Sequence, residues 1–487
     1  MLTHYSLLKK STLSASEGLF FTGYEGAAMQ VYTSVLESIG NTPMQELTKF
    51  DTGPCRLFVK LENQNPGGSI KDRIGLAMIE AAERDGRIQP GGTIIEATAG
   101  NTGLGLALVA AQKGYRMVLI IPDKMSADKI FHLKALGAEI ILTRSDVGKG
   151  HPEYYQDMAE RLAAETPNSF WANQFANPAN PQAHEDTTGP EIWEQMDHDL
   201  DAVVAGVGSG GTISGLGHYF QRVAPHVAMV VADPMGSVVA EAAETGRISD
   251  EVGSWLVEGI GEDFIPPNCD LSVIRHAERV SDQEAFAAAQ ALLLQEGILG
   301  GSSTGTLLAA ALKYCRKQTA PKRVVTFVCD TGNKYLSRAY NESWLLDNGL
   351  IERDVRHDLR DLISHRADRG DVVSVGPDDT LMTAYSRLRM YDVSQLPVMD
   401  DGRIVGILDE SDMLLAVCEN SDNFHHLVKD TMVTGLEVLP PDASMEVLLR
   451  LFRQDKVAIV VENDTFLGLV TKIDLINHTR RSLDRQS

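Results

Sequence analysis

Cysteine is scarce and scattered. Cys55, Cys269, Cys315, Cys329 and Cys418 form no C-x-x-C pair and are odd in number, which argues against a disulfide framework and a zinc site and points to a reducing, cytoplasmic setting. The one histidine pair, His425 and His426, consists of neighbours that would point apart on a helix, so a metal site is not expected there. No apolar run approaches the roughly 18 residues that span a bilayer. Lys9 and Lys10 are not followed by the apolar stretch of a signal peptide. Positive charge is also short: 44 Lys and Arg face 67 Asp and Glu, a formal net charge of −23. A nucleic-acid backbone would be repelled by such a chain. The dense basic cluster Arg480, Arg481 and Arg485 sits at the C-terminal end and reads as helix-end solvation. Nucleic acid, membrane and metal are thus not the expected partners.

What is present is ordinary globular material, 43% hydrophobic and 23% charged over 487 residues, enough for more than one domain at about 100–200 residues each. Residues 1–30 read as a mobile N-terminal extension. From 31 to 351, short β-rich runs (93–96, 117–121, 139–142, 202–205, 228–232, 323–328) alternate with helical periods (104–113, 128–136, 154–165, 282–296). That alternation implies α/β layers with a largely parallel sheet. Ligands of such sheets sit where strands end and loops lead into helices.

Four of those loops are unusual. Asn65-Pro-Gly-Gly-Ser-Ile-Lys-Asp-Arg73 follows the apolar run 57–61 and opens a helix, presenting Lys71 at a tight turn where it is a candidate phosphate ligand or Schiff-base amine. Thr98-Ala-Gly-Asn-Thr-Gly103 offers free N–H groups at a helix start, suited to a carboxylate, or a plain N-cap by Asn101 or Thr102. Gly206-Val-Gly-Ser-Gly-Gly-Thr212 suggests a phosphate cradle. It also satisfies G-x-G-x-x-G, with Asp233 as a distant ribose-binding acid, so a nicotinamide oxidoreductase is the competing reading. Gly300-Gly-Ser-Ser-Thr-Gly305 carries hydroxyls fit for a ring nitrogen or a helix cap. A phosphate loop, a lysine, a carboxylate loop and a serine loop together suit pyridoxal 5′-phosphate, whereas a nicotinamide leaves Lys71 and the Thr98 loop without a role.

In their order and content, residues 65–73, 96–103, 208–212 and 300–305 resemble the fold-type II pyridoxal-phosphate enzymes, the tryptophan synthase β-like proteins with two α/β subdomains, and most closely the cysteine synthase/cystathionine β-synthase family. The resemblance implies that Lys71 holds the cofactor and acts as catalytic base. It implies Asn101 on the ring hydroxyl, Gly208, Ser209, Gly210, Gly211 and Thr212 around the phosphate, and Ser302 on the pyridine nitrogen. Thr98, Thr102, Gln174 and Gly259 fall at substrate-binding positions. The implied chemistry is β-replacement on L-serine by L-homocysteine, with O-acetylserine plus sulfide as the rival pair. The segment 257–265 matches the β-synthase pattern, while Phe175 (where many β-synthases carry tyrosine) and Ala99 (in place of a serine) depart from it. Haem-bearing relatives carry an extra Cys/His segment; residues 1–28 hold His4 but no cysteine, so no haem is expected.

The tail repeats itself. Ile404-Val-Gly-Ile-Leu-Asp-Glu-Ser-Asp-Met413 parallels Phe466-Leu-Gly-Leu-Val-Thr-Lys-Ile-Asp-Leu475, pairing Gly406 with Gly468 and Asp412 with Asp474. Such a β-α-β-β-α pair resembles the tandem (Bateman-type) α+β regulatory module, here 371–487 with repeats at about 371–418 and 430–480. The resemblance implies an adenosyl ligand, S-adenosylmethionine or an adenine nucleotide, held by Thr471 and Asp474. In the first repeat Asp409 replaces the hydroxyl and would repel an anionic phosphate, so one site is expected rather than two. A binding-only sensor with an inactive front is the third reading. Residues 352–370, with five arginines, read as the linker, and a homodimer or homotetramer is implied by the resemblance alone.

Overall fold

A computed structural model of the chain describes residues 31–98, 100–123, 127–148, 150–248, 252–351, 356–363, 367 and 372–484. The expected N-terminal extension, Ala99 and most of the charged segment 352–370 lie outside those residues, as do the side chains of the C-terminal basic cluster.

Two sheets build the first domain. The larger has the order β1-β2-β10-β7-β8-β9, from Met44–Leu47, Arg56–Lys60, Arg323–Phe327, Ala202–Gly206, Ala228–Pro234 and Ile274–Val280. The smaller is β5-β4-β3-β6, from Glu139–Thr143, Arg116–Pro122, Thr93–Glu96 and Ser169–Trp171. All neighbours run parallel except β1 against β2. The strands read as near-continuous apolar runs because both faces are covered by helices: Ile94, Ile95, Val203, Val204, Val230 and Val231 are fully buried. Each sheet has its own apolar core, one for each lobe.

Two helices, Lys71–Arg84 and Asn101–Lys113, pack together in the core of the smaller sheet. Their backbones nearly touch: a Cβ on Gly75 would lie 2.7 Å from the carbonyl carbon of Gly105, and one on Gly105 would lie 2.7 Å from the Lys71 carbonyl oxygen. This close crossing fixes the start of one helix against the flank of the other, so the turns bearing Lys71 and Asn101 are positioned together.

The tail shows the expected repeat. Gln395–Asp400 (β11) pairs antiparallel with Arg403–Asp409 (β12). In the second copy Val438–Leu439 (β13), Ala458–Glu462 (β14) and Thr465–Val470 (β15) form one sheet. Gly406 faces Val398 and Gly468 faces Val460, each beside a register shift at the next residue. Residues 359–363 behave differently from the linker their composition suggests. Leu359, Leu362 and Ile363 are buried in the core of the second repeat, and the Leu359 N–H donates to the Pro441 carbonyl at 2.8 Å.

Candidate active site

Most long helices of the first domain need their first N–H groups satisfied, as the helix Asp282–Glu296 does with its Ser281–Glu284 capping box. Three long helices instead start behind a glycine. Asn101–Lys113 starts after Gly100, Gly211–Val223 after Gly210, and Ser302–Arg316 after Gly301. None has a side-chain cap or an acidic residue in its first turn. The plain N-cap reading of Asn101 and Thr102 therefore fails, since both already lie inside their helix. Uncapped N–H groups and the positive ends of helix dipoles, left open, are anion-binding elements. All three starts border one cavity of about 630 Å³.

That cavity brings together Lys71, Thr98, Asn101, Thr102, Gln174, Gly208, Ser209, Gly210, Thr212 and Gly259. The glycine loop is shaped by what a side chain would strike. A Cβ on Gly208 would lie 2.4 Å from the Gly259 carbonyl oxygen, and one on Gly211 would lie 1.9 Å from Asn180 Oδ1. Gly210 sits at φ +82°, where a Cβ would meet the Cys269 backbone at 2.7 Å. Asn180 Nδ2 donates to Ser209 Oγ at 2.8 Å and to the Gln174 carbonyl at 2.7 Å, tying the glycine loop to the Gln174 loop. Behind the loop, His184 Nε2 lies 3.2 Å from Thr212 Oγ1. Burial, reinforced by the Lys71 charge, holds this imidazole well below its ordinary range and so neutral.

Lys71 is placed by its own turn. Its N–H donates to Ser69 Oγ at 3.2 Å, and the Gly67 N–H donates to Asp72 Oδ2 at 2.5 Å. Arg73 then clamps the helix start between two carboxylates. Nε and Nη2 reach Glu62 at 2.8 Å, and Nη1 and Nη2 reach Glu191 at 2.7 Å. Burial draws the Lys71 amine below its ordinary range, with Cys329 and Glu262 pulling the other way. On the carboxylate side, Thr102 Oγ1 donates to Gln174 Oε1 at 2.6 Å, and the Gly100 N–H donates to Thr98 Oγ1 at 3.1 Å. Asn101 Nδ2 donates to Asp330 at 2.8 Å and its Oδ1 accepts from Lys334 at 2.7 Å. One N–H and one lone pair of the amide remain for a ligand.

One expected residue does not itself border the cavity. Ser302 is buried, and its Oγ accepts the Glu258 N–H at 3.1 Å. Its neighbour Ser303 lines the cavity. Accepting the Glu258 N–H leaves Ser302 its own hydroxyl proton to donate, whereas the Ser303 hydroxyl hydrogen-bonds the Cys329 thiol. Asp233, the candidate ribose acid, is also away from the cavity: it is fully buried and accepts the Ala240 N–H at 2.8 Å, which removes the support for a dinucleotide site. Phe175 lines the cavity wall with its ring 5.8 Å from that of Phe264. Glu258, Glu262, Cys329 and Tyr155 also line it and were not singled out from sequence.

A backbone cradle no side chain could enter, three open helix starts and a half-buried amine fit one group in particular. Such a cradle suits a phosphate, such an amine an aldehyde, and a serine hydroxyl a neutral ring nitrogen. The fold and site thus define a fold-type II pyridoxal-phosphate enzyme. The comparisons agree. The family model for pyridoxal-phosphate dependent enzymes matches residues 35–330, and the CBS domain model matches 359–419 and 428–480. The cystathionine beta-synthase of Dictyostelium discoideum is 35% identical over 466 residues, 93% of each chain. That of Oryctolagus cuniculus is 36% identical over 479 residues, 94% of this chain and 87% of the relative. Among solved structures, a hydrogen sulfide-producing enzyme from Fusobacterium nucleatum is 36% identical with a TM-score of 0.58, spanning 63% of this chain and all (100%) of that one. An O-ureido-L-serine synthase is 32% identical with a TM-score of 0.60, spanning 67% and 98%. The chain belongs to the cystathionine β-synthase family of pyridoxal-phosphate-dependent lyases.

The tail has a second cavity, of about 1010 Å³, bordered by Arg387, Asp392, Lys456, Thr471, Lys472 and Asp474 among others. There Thr471 presents both its N–H and Oγ1 to Asp474 Oδ2, at 2.7 and 2.6 Å. In the first repeat Asp409 and Asp412 instead cap each other's backbone N–H groups. Among the described residues no helix is long and apolar enough to cross a membrane, and no His/Cys/Asp/Glu group is arranged to hold a metal ion.

Proposed function

We propose that the chain joins L-serine to L-homocysteine, giving L-cystathionine and water, the entry step of transsulfuration. The observation that carries this reading is the convergence of Lys71 with three uncapped helix starts on one cavity. Gly208, Ser209, Gly210, Gly211 and Thr212 hold the cofactor phosphate, Asn101 the ring hydroxyl, and Ser302 the pyridine nitrogen. When bound, pyridoxal phosphate supplies an electron sink for the pair released at Cα. Thr98, Thr102, Gln174 and the helix start at Asn101 seat the substrate carboxylate, a charge–dipole attraction of up to about 2 kcal/mol in a partly buried site. That seat turns Cα–H toward Lys71, whose amine takes the proton and later returns it. Gly259 closes the cavity over the substrate with backbone alone.

The test is a paired assay of purified protein, serine with homocysteine against O-acetylserine with sulfide. Cystathionine formation as the faster reaction is the expected result. Dominant sulfide transfer would replace this reading with cysteine synthase, a second reading supported by the similarity to a hydrogen sulfide-producing enzyme and by the apolar Phe175 wall. In the tail, Thr471 and Asp474 are the proposed ribose-binding pair of one adenosyl site. Assembly as a homodimer or homotetramer is part of the same proposal.

The two serines separate by measurement. Ser302→Ala is expected to weaken cofactor binding roughly 2- to 10-fold, the worth of one neutral hydrogen bond, read by titrating apoprotein fluorescence with pyridoxal phosphate. Ser303→Ala is expected to leave that affinity within about twofold, since its hydroxyl is engaged with the Cys329 thiol.

A further inference from the structure

Hydroxide leaves serine badly, being the conjugate base of an acid of pKa about 15.7, and Lys71 is already occupied with the Cα proton. A second proton source at the leaving oxygen would let Lys71 keep its proton for return to Cα. The loop after Trp255 is pinned at three places: the Glu258 N–H on Ser302 Oγ, the Gly261 N–H on the Val207 carbonyl at 2.8 Å, and Glu262 on Ser237 and Val238. It delivers Glu262 to the wall of the same cavity as Lys71. The Glu262 carboxyl is half-buried and has no hydrogen-bond partner among the described residues. Such a carboxyl is committed to nothing within the fold.

We propose that Glu262 is the general acid that protonates the serine hydroxyl as it leaves Cβ, and the base that then takes the thiol proton of the incoming nucleophile. This rests on the β-replacement reading above. The Cβ–O bond breaks with its pair on oxygen, and the pair released from Cα–H becomes the second Cα–Cβ bond. The Glu262 proton completes water and leaves a carboxylate. That carboxylate takes the S–H proton, the sulfur pair forms the C–S bond, and Lys71 returns its proton to Cα. Both groups end as they began.

The surroundings suit the role. Burial raises the Glu262 carboxyl to about 8, with Asp263 and Asp233 adding to the rise and Lys71 opposing it. The other titratable groups that feel it are Tyr154 and Tyr155, ahead of the helix Tyr155–Glu165 and at its first residue. The group is therefore protonated at neutral pH and lost as an acid above about 8.

Glu262→Gln separates the outcomes. With serine, kcat/KM is expected to fall roughly 10²- to 10⁴-fold, the contribution of a general acid, and its alkaline limb to disappear. With β-chloro-L-alanine, whose chloride leaves unaided, elimination is expected to stay within about threefold. Independently of turnover, apoprotein infrared difference spectra between about pH 6 and pH 10 should show a protonated carboxyl band that the variant lacks. An unchanged rate with serine, an equal loss with both substrates, or a band identical in both proteins would each overturn the assignment. A wild-type protein that handles neither substrate would instead overturn the β-replacement reading.

Discussion

Lys71→Ala is expected to fold, to lose the visible absorbance of the bound cofactor, and to slow β-replacement by a factor of about 10³–10⁴, near the upper end for removal of a positioned proton-transfer group. Two roles are lost at once: the covalent anchor and the base held within reach of Cα. Lys71→Arg is expected to be equally inactive, because a guanidinium remains protonated at any working pH. That comparison distinguishes a base from a mere positive charge. The burial that depresses the Lys71 amine also makes its neutral form accessible below the ordinary lysine range of about 10.4. The absorbance spectrum and a stopped assay of cystathionine are the measurements. A visible band and substantial turnover in Lys71→Ala would remove Lys71 from the mechanism.

Arg73→Met should have the largest effect on stability. Arg73 is only 4% exposed and lies between Glu62 and Glu191, with Lys60 reaching Glu191 at 2.8 Å. Removing it strands buried carboxylates, a change worth about 3–5 kcal/mol in comparable sites, and should lower the apparent melting temperature by roughly 10 °C. The pH dependence has a definite sign. Burial would raise the Glu191 carboxyl, but hydrogen bonds and charge from Arg73 and Lys60 outweigh it and hold it at about 2. A carboxyl lowered on folding stabilises above its unfolded pKa of about 4.3 and loses that contribution as pH falls toward about 2. The wild type should therefore shed this stability across that window. Arg73→Met, lacking it at neutral pH, should change less there, and adding Glu191→Gln should recover part of the loss. Thermal melts from pH 7 down to about pH 2 test both statements.

What was legible in the sequence follows from locality. Strand cores and helix starts are written in contiguous residues, so the runs 93–96 and 282–296 coincide with the observed elements, and the four loops converge as a parallel sheet requires. Three things were not local. Ser302 takes the Glu258 N–H from a loop 44 positions upstream. Arg73 finds Glu191 across 118 positions. Glu262 lies in a glycine-rich loop without periodicity, facing a lysine far upstream in the chain. The segment 359–363 misled through composition, for Arg360, Asp361 and the charged residues around them mask the i, i+3, i+4 spacing of Leu359, Leu362 and Ile363.

That last segment makes the module mechanically asymmetric. The catalytic core ends around Leu350 and Ile351, and Leu359 is already anchored in the repeat farther along the chain. Eight residues of extended chain reach at most about 29 Å, so the second repeat is held to the catalytic core on a short leash. A shift of the Thr471–Asp474 repeat would pull directly on the end of the catalytic core. A regulatory fragment begun at 371 would lack three core residues of the very repeat that carries its proposed ligand site.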